Sequence, residues 1–212
     1  MILSFAQKER LPISRFEIQE GDCIRATAVA PEFQTGLLSV DENNYELAFD
    51  GLRKVCITRN GEPFAEIVPQ FCQTKKVLFL PVGYEYYRVT IGEKTYAVYE
   101  VGLGADKHFY CFYAGDEIVA IAHKPDQVKN YLDKYDCYLA SEEHFLAVGL
   151  YCLFLEAGQY YDMRASGNEE NNTATITLQK ELQAKYDPNF ISKVLAASSP
   201  AAKAEDSAES RL

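Results

Sequence analysis

Three histidines, His108, His123 and His144, and six cysteines, Cys23, Cys56, Cys72, Cys111, Cys137 and Cys152, carry the most reactive side chains in this chain of 212 residues. A zinc site or a redox pair would need ligands a few residues apart, as in CxxC, and no two of the cysteines are so spaced. The histidines are just as dispersed and lie in or beside apolar stretches, so a metal trio would require the fold to gather them. Other catalytic patterns are missing as well: there is no GxSxG elbow and no Walker loop. Gly102-Leu103-Gly104 lacks the third glycine and the following helix of a dinucleotide fingerprint and is predicted to be a turn. No catalytic, cofactor-binding or metal-ligating residue is assigned. No cofactor is expected, and the chain is expected not to be an enzyme; an enzyme whose site the sequence does not show ranks third among the readings of its function.

Binding is the chemistry that remains. Tyr84, Tyr86 and Tyr87, with Phe109 to Tyr113, have the character of an apolar ligand pocket, and equally that of core packing. The basic candidates for anionic head groups are Lys75-Lys76 and the set Lys124, Lys129 and Lys134; Asp126 and Asp133 are interleaved with the latter, the mixture typical of a solvated face. Against 31 acidic residues stand 21 basic ones, a net charge of −10 that repels phosphate backbones and anionic bilayers unless the positive charges cluster. Nucleic acid is therefore not an expected partner.

These side chains need a scaffold, and the pattern points to strands. Twelve Phe and fifteen Tyr with no Trp favour pleated surfaces. From Arg15 to Leu139, short apolar runs alternate with turn residues at the spacing of a sandwich or barrel. Lys54 to Thr58, then Asn60-Gly61, then Pro63 to Val68 predicts a hairpin with a type I′ turn. Tyr86 to Ile91 pairs with Thr95 to Val101 across Gly92-Glu93-Lys94, with Tyr87, Val89 and Ile91 on one face and Arg88 and Thr90 on the other. Phe109 to Tyr113 pairs with Ile118 to His123 through Ala114-Gly115-Asp116. That last pair is apolar on both faces and should be the most enclosed part of the sheet.

Tyr135 to Leu139 predicts a further strand, and Ser141 then caps a helix with Glu142 and Glu143 in its first turn. Phe145 to Leu155 is apolar all the way round. It falls well short of the roughly 20 residues that span a bilayer, so protein must surround it. A buried strand pair would show the same apolar run; the acidic start and Ala147 favour helix. The simplest cover is a sheet that curls around the helix and closes, which also removes its free edges.

Ser166 to Asn172 forms a polar linker, so residues 1–163 are expected to form a barrel with its helix at about 142–156, and residues 164–212 a C-terminal extension. Within the extension, Leu178 to Tyr186 has helical character and Asp187-Pro188 starts a short helix carrying Phe190, Ile191, Val194 and Leu195. This segment can fold back over the barrel or dock an unknown protein partner. From about 198 the composition predicts disorder. Met1 to Arg10 lacks the pattern of an export signal, which argues for reduced cysteines acting as small hydrophobes and for a cytoplasmic protein.

The run Gly115-Asp116-Glu117-Ile118-Val119-Ala120-Ile121-Ala122-His123-Lys124, the strand Tyr135-Asp136-Cys137-Tyr138-Leu139 and the helix Glu142 to Leu155, ending near Asp162, together resemble the C-terminal half of the tubby-like superfamily, in its LURP-one-related and scramblase-like branch. The resemblance covers roughly residues 45 to 162. It implies a closed antiparallel barrel of about twelve strands around a central hydrophobic helix. It also implies a binding or scaffolding role, with peripheral attachment to anionic membrane lipid as the alternative, since tubby proteins bind phosphoinositides and scramblase relatives associate with membrane lipid. Which residues bind the ligand is left open.

Overall fold

In the computed structural model the described residues are 1–10, 12–51, 53–77, 80–125, 132–161 and 175–198. Twelve antiparallel strands, β1 (Ile2–Glu9), β2 (Ser14–Glu20), β3 (Cys23–Ala30), β4 (Thr35–Val40), β5 (Asn43–Asp50), β6 (Lys54–Arg59), β7 (Glu62–Val77), β8 (Leu80–Ile91), β9 (Lys94–Gly102), β10 (His108–Ala114), β11 (Glu117–Lys124) and β12 (Lys134–Leu139), each pair with their sequence neighbours. β1 then pairs with β12, Leu3 opposite Cys137 and Phe5 opposite Tyr135, and the barrel closes.

The three hairpins form as expected. Asn60 and Gly61 at φ of 52° and 87° make the primed turn between β6 and β7. On β8, Val89 is buried and Tyr87 and Ile91 pack on the core, while Arg88 is exposed. The closing strand β1 is the element that composition concealed. Its C-terminal end, with Lys8 and Glu9, looks polar, but Leu3, Phe5 and Gln7 alternate inward, and that alternation was its sequence signal.

A barrel of eight strands fills with its own side chains, and one of twelve leaves room to spare. The helix α1 (Phe145–Ala157) takes that room, preceded by a 3₁₀ turn at Glu142–His144. Every residue of α1 is buried except Leu146, which is partly so. The wall is graded to receive it. On one side small residues let the helix come close: a Cβ on Gly149 would lie 3.0 Å from Ile18 Cδ1, and one on Gly36 3.0 Å from Leu153 Cγ. On the other side large rings fill the gap, with Tyr87, Tyr110 and Phe112 meeting Tyr151 at centroid distances of 5.9, 5.7 and 5.4 Å.

Ser141 stands in extended conformation before the 3₁₀ turn, but its side chain makes no capping bond to the backbone. Its Oγ donates to Glu143, while Glu142 pairs with Arg25 and Glu143 with Lys94. The acidic start therefore ties the plug to the barrel rim.

Outside β8 to β12 lies a second apolar layer. Thr177 exchanges hydrogen bonds with Gly102, and Gln179 donates to the Gly83 carbonyl at 2.5 Å. Helices α2 (Lys180–Gln183) and α3 (Phe190–Ala197) follow, placing Leu182, Phe190 and Val194 on Tyr84, Val101, Phe109, Cys111 and Ile121. Tyr186 stacks on Phe109 with centroids 4.3 Å apart. This is why β10 and β11 are apolar on both faces: one faces α1, the other the folded-back segment. The expected boundary at 163/164, the polar linker and the tail from about 198 lie at or in residues outside those described.

Candidate functional site

Helix α1 enters at one end of the barrel and finishes at the other, and the second end is chemically different. There the last inward positions of several strands are polar: Gln7 on β1, Ser14 on β2, Glu100 on β9, His108 on β10 and Lys124 on β11. An apolar side chain is not required at a position where the lumen opens, and the sequence uses that freedom to place charge.

Lys124 is 8% exposed. Its Nζ donates to Asp133 Oδ1 at 2.5 Å and to Glu156 Oε1 at 3.3 Å, and lies 4.2 and 4.5 Å from the ring centroids of Tyr160 and Tyr135. The Tyr135 hydroxyl donates to the same Glu156 oxygen at 2.7 Å. Glu156 occupies the last turn of α1, where the helix dipole disfavours a negative charge, and Lys124 offsets both. Nearby, the Tyr110 and Tyr160 hydroxyls share a hydrogen bond of 2.6 Å, and His108 Nε2 meets Glu100 Oε1 at 2.8 Å. Burial pushes the phenols of Tyr110, Tyr135 and Tyr160 up, and neighbouring carboxylates push them further, so at neutral pH they act as hydrogen-bonding phenols.

Beside this network the mouth contains a cavity of about 500 Å³, within the range of small-molecule sites. Phe49, Tyr87 and Phe154 form one wall, their rings 5.0 and 5.6 Å apart at the Tyr87–Phe154 and Phe49–Phe154 contacts. Phe33, Gln34, Gly158 and Gln159 contribute to the lining, along with Glu100 and the ion pair of Arg53 with Glu85. The hydrogen bond to Glu85 raises the pKa of the Arg53 guanidinium above its already high ordinary value.

The candidates from sequence separate clearly. Tyr86 and Tyr87 line the cavity, whereas Tyr84 lies under the folded-back segment and Phe109 to Tyr113 are core or second layer. Lys124 is not on a solvated face but inside the barrel mouth, because it is the next inward position after Ala120 and Ala122. Lys134 pairs with Asp136, and Lys129 lies outside the described residues. The histidines do not meet: His108 is at the mouth, His123 bonds the Asp106 carbonyl, and His144 faces Tyr96 at the opposite end. Among the described residues no group of three or more His, Cys, Asp or Glu side chains is placed to hold a metal. Of the expected turn Gly102-Leu103-Gly104, only Gly104, at φ 110°, lies in the turn, which spans residues 104–107; Gly102 ends β9 and Leu103 bridges to Ile176. All six cysteines are free, with Cys111, Cys137 and Cys152 buried.

Phe33, Phe49, Arg53, Glu85, Glu100 and Phe154 were not singled out from sequence. Glu100 alone left a signal, a carboxylate at an inward step of β9 after Tyr96 and Val98. Among the described residues no helix is long and apolar enough to cross a membrane. Neither a protein-family model nor a curated protein nor a solved structure matches the chain.

Proposed function

We propose that this protein is a non-enzymatic binding domain of tubby-like architecture whose barrel mouth receives a small ligand. The observation that carries this reading is the cavity of about 500 Å³ at the C-terminal end of α1. Here aromatic walls stand beside a few fixed charges, the composition of a ligand site. The described carboxylates of the mouth are held by hydrogen bonds to Arg53, His108, Lys124 and Tyr135, which supports a site that presents fixed charge to a ligand.

The test is a ligand-observed NMR screen of fragments against the full chain and against Gln159→Trp. Gln159 is an exposed lining residue, so the indole blocks the mouth without disturbing the core. Hits that bind the wild type and are lost in the variant support the reading. A wild type that binds no fragment, or whose hits all survive the variant, overturns it.

One observation favours the alternative, peripheral attachment to anionic lipid. β7 pairs with β6 only as far as Ile67, and β8 with β9 only as far as Tyr87, yet the two strands continue pairing with each other to Val77 and Leu80. This two-stranded ribbon extends past the barrel at the mouth end. Phe71 and Leu80 on it are 54% and 68% exposed, Lys75 is exposed, and residues 70–83 contain Lys75 and Lys76 but no acid. Apolar residues beside lysines in an otherwise acidic chain suit a bilayer interface. Flotation with phosphatidylserine-containing vesicles should show salt-sensitive association that is lost in Lys75→Glu and Leu80→Asp. Equal behaviour with neutral vesicles, or no association, removes this alternative.

A further inference from the structure

We infer that the mouth cavity selects a small organic cation, an ammonium group carrying methyl or other apolar substituents. The inference rests on the cavity being a ligand site and names the class of ligand it takes.

The charges come first. One guanidinium, Arg53, faces the cavity with two carboxylates, Glu85 and Glu100. Arg53 is hydrogen-bonded to Glu85, so its positive charge is balanced before a ligand arrives. Glu100 is the carboxylate left over. Its Oε1 meets His108 Nε2 at 2.8 Å, a hydrogen bond that fixes the carboxylate at the cavity wall. The deeper network repeats the imbalance, with Lys124 between Asp133 and Glu156. Among the described residues, both clusters at the mouth carry more carboxylates than lysines and arginines, within a chain of net charge −10 with histidine taken as neutral. A field of that sign gathers cations and repels anions.

The walls make the second argument. Phe33, Phe49, Tyr87 and Phe154 bring aromatic rings to the same cavity, and three of them meet ring to ring. The face of an aromatic ring is negative, and several faces around one space are the known way to hold an ammonium ion too bulky or too methylated for strong hydrogen bonding. A metal ion would want several ligands gathered at short range, and among the described residues no group of three or more His, Cys, Asp or Glu side chains is so placed. The Tyr87 phenol is raised by burial, with Arg53 opposing and Glu85 and Glu100 adding to the rise, which places the ring within the influence of both carboxylates.

The test uses three probes of one shape and three charges: choline, 3,3-dimethyl-1-butanol and 3,3-dimethylbutanoate. They are titrated calorimetrically into the full chain, its Glu100→Gln variant and a Glu46→Gln control. Glutamine keeps an acceptor for His108, and Glu46 is an exposed acid of β5 that does not line the cavity, so the two variants lose the same charge at different places. Choline should bind the wild type and the control at least about tenfold more tightly than either isostere, the scale of one well-made cation–π contact. Glu100→Gln should lose most of that preference while melting as the wild type does. If the alcohol or the carboxylate binds as tightly as choline, the cation class is overturned and the cavity stands as a ligand site. If choline selectivity survives Glu100→Gln, Glu100 does not supply it and the inference fails; if it falls equally in Glu100→Gln and Glu46→Gln, bulk charge explains it and the inference fails as well. If none of the three binds, the inference fails too, and the fragment screen decides separately whether the cavity binds anything.

Discussion

The two ends of the central helix use the same residue types in opposite ways. Where α1 begins, Glu142 and Glu143 reach out to Arg25 and Lys94, and most of these side chains are well exposed. Where it ends, Glu156 and Lys124 pair inside the barrel at 0% and 9% side-chain exposure. Water screens the first set, so it fixes position at little gain in stability. The second set has lost its water and depends on its partners, and the space beside it has stayed open as a cavity. The comparison teaches that location relative to the barrel mouth, more than residue type, separates exposed anchoring pairs from a buried polar network in this molecule.

The largest effect should come from breaking the inner set. Lys124→Ala leaves Glu156 and Asp133 without their ammonium partner and is expected to cost about 3–5 kcal/mol in urea unfolding. Adding Glu156→Gln should recover a large part of that loss; no recovery would mean that Lys124 stabilises by packing on Tyr135 and Tyr160 and not by charge.

Next in size is the outer layer. Phe190→Ala should cost about 3 kcal/mol, because it opens the seam between α3 and the sheet. Leu195→Ala, on the same helix at 48% exposure, should stay within about 0.5 kcal/mol. Similar losses in both would show that the segment is not docked as described.

A smaller effect is expected from pH at the entry end. His144 is buried against Tyr96, and desolvation holds its pKa below the ordinary 6.5, with Glu143 partly opposing. The unfolded chain therefore takes up the proton first, and stability should fall as pH drops from about 6.5 through the lowered folded value. His144→Gln should remove that component of the pH profile. An unchanged acid-side slope would assign it to other groups.

The smallest change belongs to the exposed anchors. Lys94→Ala should leave the urea midpoint nearly unchanged at high salt and lower it only slightly at low salt. A large, salt-independent loss would erase the contrast between the two ends.

Much of the frame was legible in the chain. Asn60-Gly61 demands a primed turn whatever surrounds it, Val89 alternates with Arg88 and Thr90, and an apolar run with no polar face has to be enclosed. These are local properties, set by steric and hydrophobic preferences that act over a few residues. The folding-back of Phe190 and Val194 was also foreshadowed, since the strands they cover are apolar on the side away from α1. The first strand was hidden because its polar tail outweighed three inward residues, and only its pairing with the last strand reveals its role.

The site belongs to the tertiary structure. Glu85, Glu100, Arg53, Phe33 and Phe154 come from separate stretches of the chain, and nothing in their spacing joins them. They meet because the barrel closes and α1 stops at its mouth, and closure is a long-range event that no window of sequence records. The sequence by itself determined strands, turns and an enclosed helix, because neighbouring residues decide those. Which charges were buried, which were left in water and where a cavity remained were decided only by the packed barrel, because burial and field depend on everything within reach in space.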